Sequence, residues 1–504
     1  MPVLTETSED VDTPEEAASM FSLWCERLAY ALLVVVVVVF AWKAATLNWK
    51  AAGDLSVIRL RALDVGTSNT PLVGAYSRFQ WNHPGPSLSF AFAPWVRLFG
   101  TSGVGILVGA FVTNFAAMAG AAWVARRASN VLFFLTAICL AAFVLLEQSG
   151  ELFNPWNPYV ILLPLFAALI SAWATARGDR VAAVVLVVAA SFAIQGHVGA
   201  APLGGLALVV GAAGLLYTIV RSVGDERRTH VKTSLIALAA LSVCWLPPLV
   251  DQFFGTGNLG RLVKFQFTGT EPSAGFRFAF DQVTRLLTFP PGREVGFLGA
   301  VGQGPVVPWM AIVLVASTLV AWRKGWHAQL QLTLLAWLSI AVTGLSISSI
   351  KGIPYAYLFR WSWAMVLVVW ITCAWALISL LMEFALVRKW FVAVGSLALA
   401  TLLIAVLVFG VSFRAVQGWD AQLRLYEPLI QPTLDVLHDA PKPVMIVTYL
   451  GLADGTVANE LMARSDELGL DLRRTPNLKF IFGSARSVDP ANAKSELVLV
   501  AKAE

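Results

Sequence analysis

Asp54 and Asp64 lie on either side of a short helical pattern in "AAGDLSVIRLRALDVG", the stretch that follows the first apolar run of the chain. A carboxylate held at a surface can act as a general base, taking the proton from a hydroxyl that is otherwise a poor nucleophile. Asp54 is the first candidate. Its alternative is structural, since an Asp after Gly53 is an ordinary helix N-cap. Asp64 is the second candidate, and its alternative is an i, i+3 pair with Arg61. Helical spacing puts Leu55, Ile58 and Ala62 on one side and Asp54 and Arg61 on a neighbouring face.

The elements that must position these residues belong to a membrane protein. Of 504 residues, 58% are hydrophobic and 13% charged, where a soluble domain has roughly a quarter charged. Apolar runs fall at about 27–46, 103–125, 130–147, 158–176, 180–196, 198–221, 232–250, 307–322, 327–348, 360–386 and 389–411. The expectation is a mainly α, polytopic membrane protein with about eleven transmembrane helices. Short basic turns at 124–129, 176–180, 221–232, 321–326 and 386–390 put the N-terminus in the cytoplasm and the C-terminus outside. That alternation requires the run at 86–99, with Pro94 and Arg97, to lie at the outer interface without crossing.

Residues 1–26 then form a disordered cytoplasmic tail and 27–411 a transmembrane domain with outer loops at 47–101 and 251–306. Residues 412–504 form a small extracytoplasmic α/β domain. Its order is a helix, the strand "PVMIVTYLG", the helix "VANELMARSDELG", and the strands "LKFIFG" and "ELVLVAKAE". The four cysteines, Cys25, Cys139, Cys244 and Cys373, are scattered in or beside apolar runs and read as small buried hydrophobes. No nucleic-acid signature or phosphate loop is present.

The first outer loop continues with "SNTPLVGAYSRFQWNHPGP" at 68–86, rigid and polar, and then the run ending in "RLFG". The ordered set is a span, an Asp opening an outer helix, "NHPGP", an amphipathic helix ending in "RLFG", and a span ending in "ARR". It resembles the GT-C membrane glycosyltransferases, in the branch of the protein O-mannosyltransferases and aminoarabinose transferases. The pattern covers roughly residues 27–127, and the topological likeness extends to about 411. Two departures stand out: "GDL" replaces the usual Asp-Glu pair, and "HPGP" replaces "HPP".

The resemblance implies a polyprenyl-phosphate-linked sugar as donor and an envelope glycan, lipid or protein as acceptor. The displacement would be inverting, with Asp54 as base. No cofactor is required; a divalent metal is compatible with the chemistry but is not indicated by these residues. The leaving phosphate needs cations for charge-assisted hydrogen bonds. Candidates are Arg78, Arg261 and Lys264 in "NLGRLVKFQF", and Lys351 and Arg360 in "SIKGIPYAYLFRW". With Tyr355, Tyr357 and Trp361, the last pair could instead be an aromatic belt with snorkelling cations.

His83 could contact phosphate or sugar, or be tied to backbone. Asn82 and Trp81 could face sugar hydroxyls and a ring face. Glu151, with Glu147 in "EQSGELFNPWNP", could add polarity to the cavity or be a solvated loop carboxylate. Gln195 and His197 end a span on the same side. Two rival readings remain, a transporter or flippase of a lipid-linked glycan and a non-catalytic envelope-assembly protein. Transporters place ionisable groups within their spans, and here the spans are nearly free of charge.

Overall fold

The computed structural model describes residues 14–46, 49–100, 103–146, 150–288, 306–409, 414–449 and 452–500. Helix α1 (Pro14–Thr46) leads to the short helices α2 (Asp54–Leu63) and α3 (Ser87–Phe99). Then come α4 (Val104–Ala128), α5 (Asn130–Leu146), the single turns α6 (Gly150–Phe153) and α7 (Asn157–Val160), α8 (Leu162–Ala176) and α9 (Arg180–Gly196). The chain goes on through α10 (Ala201–Arg221), α11 (Gly224–Phe254), α12 (Asn258–Thr268) and α13 (Gly275–Leu286). Four more apolar helices follow, α14 (Trp309–Arg323), α15 (His327–Ser348), α16 (Trp363–Leu381) and α17 (Ala385–Phe409). The C-terminal part holds α18 (Arg414–Asp439), β1 (Val444–Tyr449), α19 (Leu452–Glu467), β2 (Leu472–Arg473), α20 (Lys479–Phe482) and β3 (Ser495–Val500).

The protein is thus a mainly α, multi-pass membrane protein with a small sheet. Among the described residues, eight helical segments are long and apolar enough to cross a membrane. Three expected spans, α5, α9 and α14, are apolar but shorter, at 17, 17 and 15 residues. At about 1.5 Å per residue they reach about 22–26 Å, less than the ~30 Å hydrocarbon core.

The basic turns gather at one end of the bundle. Arg126 pairs with Glu26 (3.2 Å) and Arg127 with Asp179 (2.7 Å). Arg177 bonds Gln331 (2.9 Å), and Lys324 pairs with Glu383 (2.7 Å). The other end of α4 starts against Trp49 and the Lys50–Ala51 backbone, where a Cβ on Gly103 would come within 2.6 Å. The segment that leads to Asp54 therefore lies at the opposite end from these turns.

Helix α3 does not cross. Near its start, Ser87 Oγ donates to the Phe192 carbonyl (3.1 Å) close to the end of α9. At its close, Gly100 accepts from Arg59 of α2 (3.1 Å). Between these points Phe92 and Val96 seat on Gly109 and Gly105 of α4, where added Cβ atoms would meet them at 2.7 and 2.6 Å.

Three boundaries differ from expectation. The tail is helical from Pro14, and a proline is well tolerated in a first helical turn, where its missing N–H would have no intrahelical partner. The outer loop at 251–306 is largely helical up to Leu286, because Ala279, Val283 and Leu286 supply a buried stripe; its residues 289–305 lie outside the described set. The strand expected at "LKFIFG" is a 3-10 turn (Pro476–Leu478) followed by α20. Its apolar residues Leu478, Ile481 and Phe482 fall at i, i+3 and i+4 and pack into one cluster, a helical and not an alternating pattern. Gly483, at φ 86°, ends it.

The sheet has the order β2-β1-β3, all parallel. Val444 faces Leu472 on one side and Ser495 on the other, and the second pairing runs on to Tyr449 and Val500. Helix α2 is clamped between two cores. Leu55, Ile58 and Ala62 enter the main helical core, while Val57 and Leu60 enter the C-terminal core with Ile430, Leu434, Val444, Leu461 and Phe482.

Candidate functional site

Gly53, at φ 55°, turns the chain into α2 and occupies the N-cap position without a side-chain bond. Asp54 is the first helical residue. Its carboxylate does not cap the helix but takes two side-chain donors. The Tyr76 hydroxyl donates to Oδ1 and the Trp156 indole N–H to Oδ2, the latter at 3.2 Å. Among the described residues no cation is paired with it. Burial raises the acid above the usual carboxylate range, and the bonds from Tyr76 and Trp156 offset part of that rise. Burial and the neighbouring carboxylate push the Tyr76 phenol well up, so it stays protonated and remains a donor.

Beside Asp54 is a cavity of about 30 Å³, lined by Ile58, Arg61, Gly74, Tyr76, Asn157 and Ile481 among others. That is room for roughly one water. Ile481 comes from the C-terminal domain, which also supplies Asn459 to the Tyr76 side chain and the Phe480 ring, 6.3 Å from that of Tyr76. Replacing Tyr76 with Phe removes one of the two bonds that favour the ionised Asp54. The acidic limb of any reaction that needs that carboxylate is expected to move to higher pH, as a pH–rate profile would record.

Within the stretch at 68–86, residues 74–83 fold as a tight hairpin. Tyr76 bridges to Asn82, Gly74 N–H donates to His83 (2.9 Å) and His83 N–H to Ala75 (2.8 Å). Gln80, at φ 62°, makes the turn. The close approaches need glycine at two places, since a Cβ on Gly85 would lie 2.3 Å from the Gln195 side chain and one on Gly74 would lie 2.7 Å from the Gly85 carbonyl.

Asn82 and His83 serve this packing. Asn82 Nδ2 donates to Gly74 (3.2 Å) and Phe480 (2.8 Å), and its backbone exchanges bonds with the Asn258 side chain at 2.9 and 2.8 Å. His83 Nδ1 accepts from the Val198 N–H (3.1 Å). The rings of His83 and His197 are 4.6 Å apart. Burial, then the neighbouring ring, lowers His83 well below the usual range, and burial takes His197 to about 4. Both are neutral at pH 7. Trp81 is buried at 5.7 Å from Phe265, and Gln195 donates to the Cys244 carbonyl (2.8 Å).

Arg78 is exposed. Its Nη2 donates to the carbonyls of Lys351 (3.1 Å) and Ile353 (2.8 Å), and its guanidinium lies over Phe79 and Tyr355, 4.8 and 4.9 Å from their centroids. A run of rings leads from there to Asp54. Tyr355 stacks on Tyr357 (5.8 Å), and Tyr357 meets Trp156 (4.7 Å), whose indole holds the carboxylate. Arg360 is buried beneath, over Tyr159 and Trp363 at 5.7 and 5.1 Å. Lys351 is half-buried and bridges through its backbone to Ser273, while Arg261 and Lys264 are exposed on α12. Trp361 is buried and bonds the Leu358 carbonyl (2.9 Å).

Asp64 is elsewhere and fully occupied. It takes Arg61 (2.6 Å) and a two-point contact from Arg486 (2.6 and 2.9 Å), and Arg486 also grips Asp466 at 2.9 and 3.0 Å. Burial opposes the Arg486 charge, yet the bonds to Asp64 and Asp466 outweigh it and hold the guanidinium above its ordinary value. Beside this bolt, Ser56 donates to Glu460 (2.6 Å) and Glu460 pairs with Arg464 (2.6 Å). Glu151 lies in α6, and its side chain, like all of Glu147, is outside the described set. From the loop that carries Glu151 it is Trp156 that reaches Asp54. Tyr76 and Trp156 were not singled out from the sequence, though both lie within the two polar stretches that were.

No protein-family model matches this chain. No curated protein matches it either. Among solved structures it is similar to the oligosaccharyltransferase of Archaeoglobus fulgidus in its apo form, with a TM-score of 0.39 and 12% identity. The alignment covers 86% of this chain and 64% of that one, just under two thirds of the larger protein.

Proposed function

We propose that this protein transfers a sugar from a polyprenyl-phosphate-linked donor to an acceptor hydroxyl on an envelope glycan, lipid or protein. The site would face away from the cytoplasm, at the end of the bundle opposite the basic turns, in the plasma or inner membrane. The observation that carries the reading is the Asp54 carboxylate, gripped by two neutral donors, raised by burial and without a paired cation among the described residues. Such a group is a stronger base than an ordinary surface carboxylate. The resemblance of the first outer loop to GT-C enzymes supports the same assignment.

In this mechanism Asp54 takes the acceptor O–H proton as the acceptor oxygen attacks the anomeric carbon. The bond from that carbon to the phosphate oxygen breaks, the configuration inverts, and the phosphate leaves with the electron pair. Arg78, Lys351 and Arg360 are the cations assigned to receive it, with Arg261 and Lys264 at the approach. The cavity beside Asp54 is too small for a sugar ring, so binding requires the Ile481 wall or the hairpin to shift.

The test is transfer of label from a radiolabelled polyprenyl-phosphate sugar pool into native membranes with and without the chain. Transfer that depends on the chain supports the reading. Absence of transfer from every donor supplied, with the chain folded and inserted, moves the weight to transport or assembly.

A further inference from the structure

We propose that the C-terminal domain contains an oxyanion-binding site built on Arg474, separate from Asp54 and independent of the reaction assigned there. Arg474 follows β2 directly, and its backbone bridges to Ser487. Its side chain turns inward and the residue is 6% exposed. Nη2 donates to Thr448 Oγ1 near the carboxyl end of β1 (3.3 Å), and the guanidinium lies 5.8 Å from the centre of the Phe482 ring. Nε and Nη1 are buried with no hydrogen-bond partner among the described residues.

The neighbouring arginines do not share this state. Arg473 is held by Asp471 at 2.6 and 3.0 Å, Arg486 by Asp64 and Asp466, and Arg61 by Asp64. Among the described residues Arg474 has no carboxylate. A buried guanidinium cannot escape its cost by neutralising: burial lowers it only to about 10, so it stays charged at physiological pH. Its unspent N–H donors form a planar fork suited to a carboxylate or a phosphate. The position fits as well, since small ligands of parallel α/β sheets bind beyond the carboxyl ends of the strands, and all three strands here are parallel. The site also adjoins the catalytic wall. The Phe482 whose ring faces Arg474 gives its carbonyl to Arg61 and Arg486, and the preceding Ile481 lines the Asp54 cavity.

The experiment is thermal unfolding of the purified full-length protein in detergent, titrated at constant ionic strength with inorganic phosphate, farnesyl phosphate or glucuronate. A saturable rise in midpoint with at least one of the three is expected for the wild type. Arg474→Met should lose the saturable component that depends on this site, whatever response to farnesyl phosphate the Asp54 site retains. Arg474→Lys, which keeps the charge and loses the fork, should need at least tenfold more ligand and serves if the Met variant does not fold. Farnesyl phosphate acting at lower concentration than phosphate identifies a lipid headgroup. Equal potency identifies free phosphate, and a response to glucuronate alone identifies an acidic glycan. No saturable response in the wild type, or an unchanged one in both variants, overturns the site.

Discussion

Asp54→Asn is expected to slow sugar transfer by about 10²–10⁴-fold, the usual contribution of a positioned general base, with little change in KM. The amide can keep the local bonds: its oxygen accepts from Trp156, and its NH₂ donates to the Tyr76 hydroxyl, which can also accept. The loss is then chemical, not structural. Stability moves the other way. Because burial raises the Asp54 acid in the folded state, its contribution to wild-type stability is fully present below the unfolded carboxylate range and is lost as pH rises through the folded value. Asn carries no such penalty. Thermal unfolding of the two proteins should show the variant gaining on the wild type from acid to neutral pH, while its transfer stays low throughout.

The second large effect is on the junction between the membrane domain and the C-terminal domain. Asp64→Ala removes the carboxylate shared by the half-buried Arg61 and the buried Arg486, and leaves Arg61 without its ion-pair partner. Breaking one side of a buried pair costs about 3–5 kcal/mol. The C-terminal domain should loosen from α2, seen as a lower unfolding midpoint and faster proteolysis near α18. Arg486→Met combined with Asp64→Ala should cost less than the sum of the two, because the second change removes a charge the first left exposed to cost. An unchanged midpoint for Asp64→Ala would show that the bolt carries no load.

Much of the fold was legible in the sequence, because bilayer thickness and the positive-inside bias act on composition alone. The two faces of α2 illustrate the limit. Leu55, Ile58 and Ala62 were readable as one face from spacing, but what Val57 and Leu60 pack against is a domain some 370 residues or more further on. The partner of Asp64 posed the same difficulty: Arg61 is three residues away, whereas Arg486, which makes the two-point contact, is 422 away. Within the site, Asp54 was readable because it opens the outer helix in the ordered set of the first outer loop. Tyr76 and Trp156, 22 and 102 residues distant, carry no spacing that marks them. "LKFIFG" was misread because a short apolar run fits either period, and only its packing against α2 and β1 decides.

The decisive measurement is the pH dependence of sugar transfer by the purified protein, wild type beside Asp54→Asn at equal folded concentration. With Asp54 as the base, wild-type transfer falls on the acid side, with a midpoint above the ordinary carboxylate value of about 4, and the variant is slow at every pH and lacks that limb. A variant that transfers at the wild-type rate with the same acid limb would contradict it, and Asp54 would then not be the base.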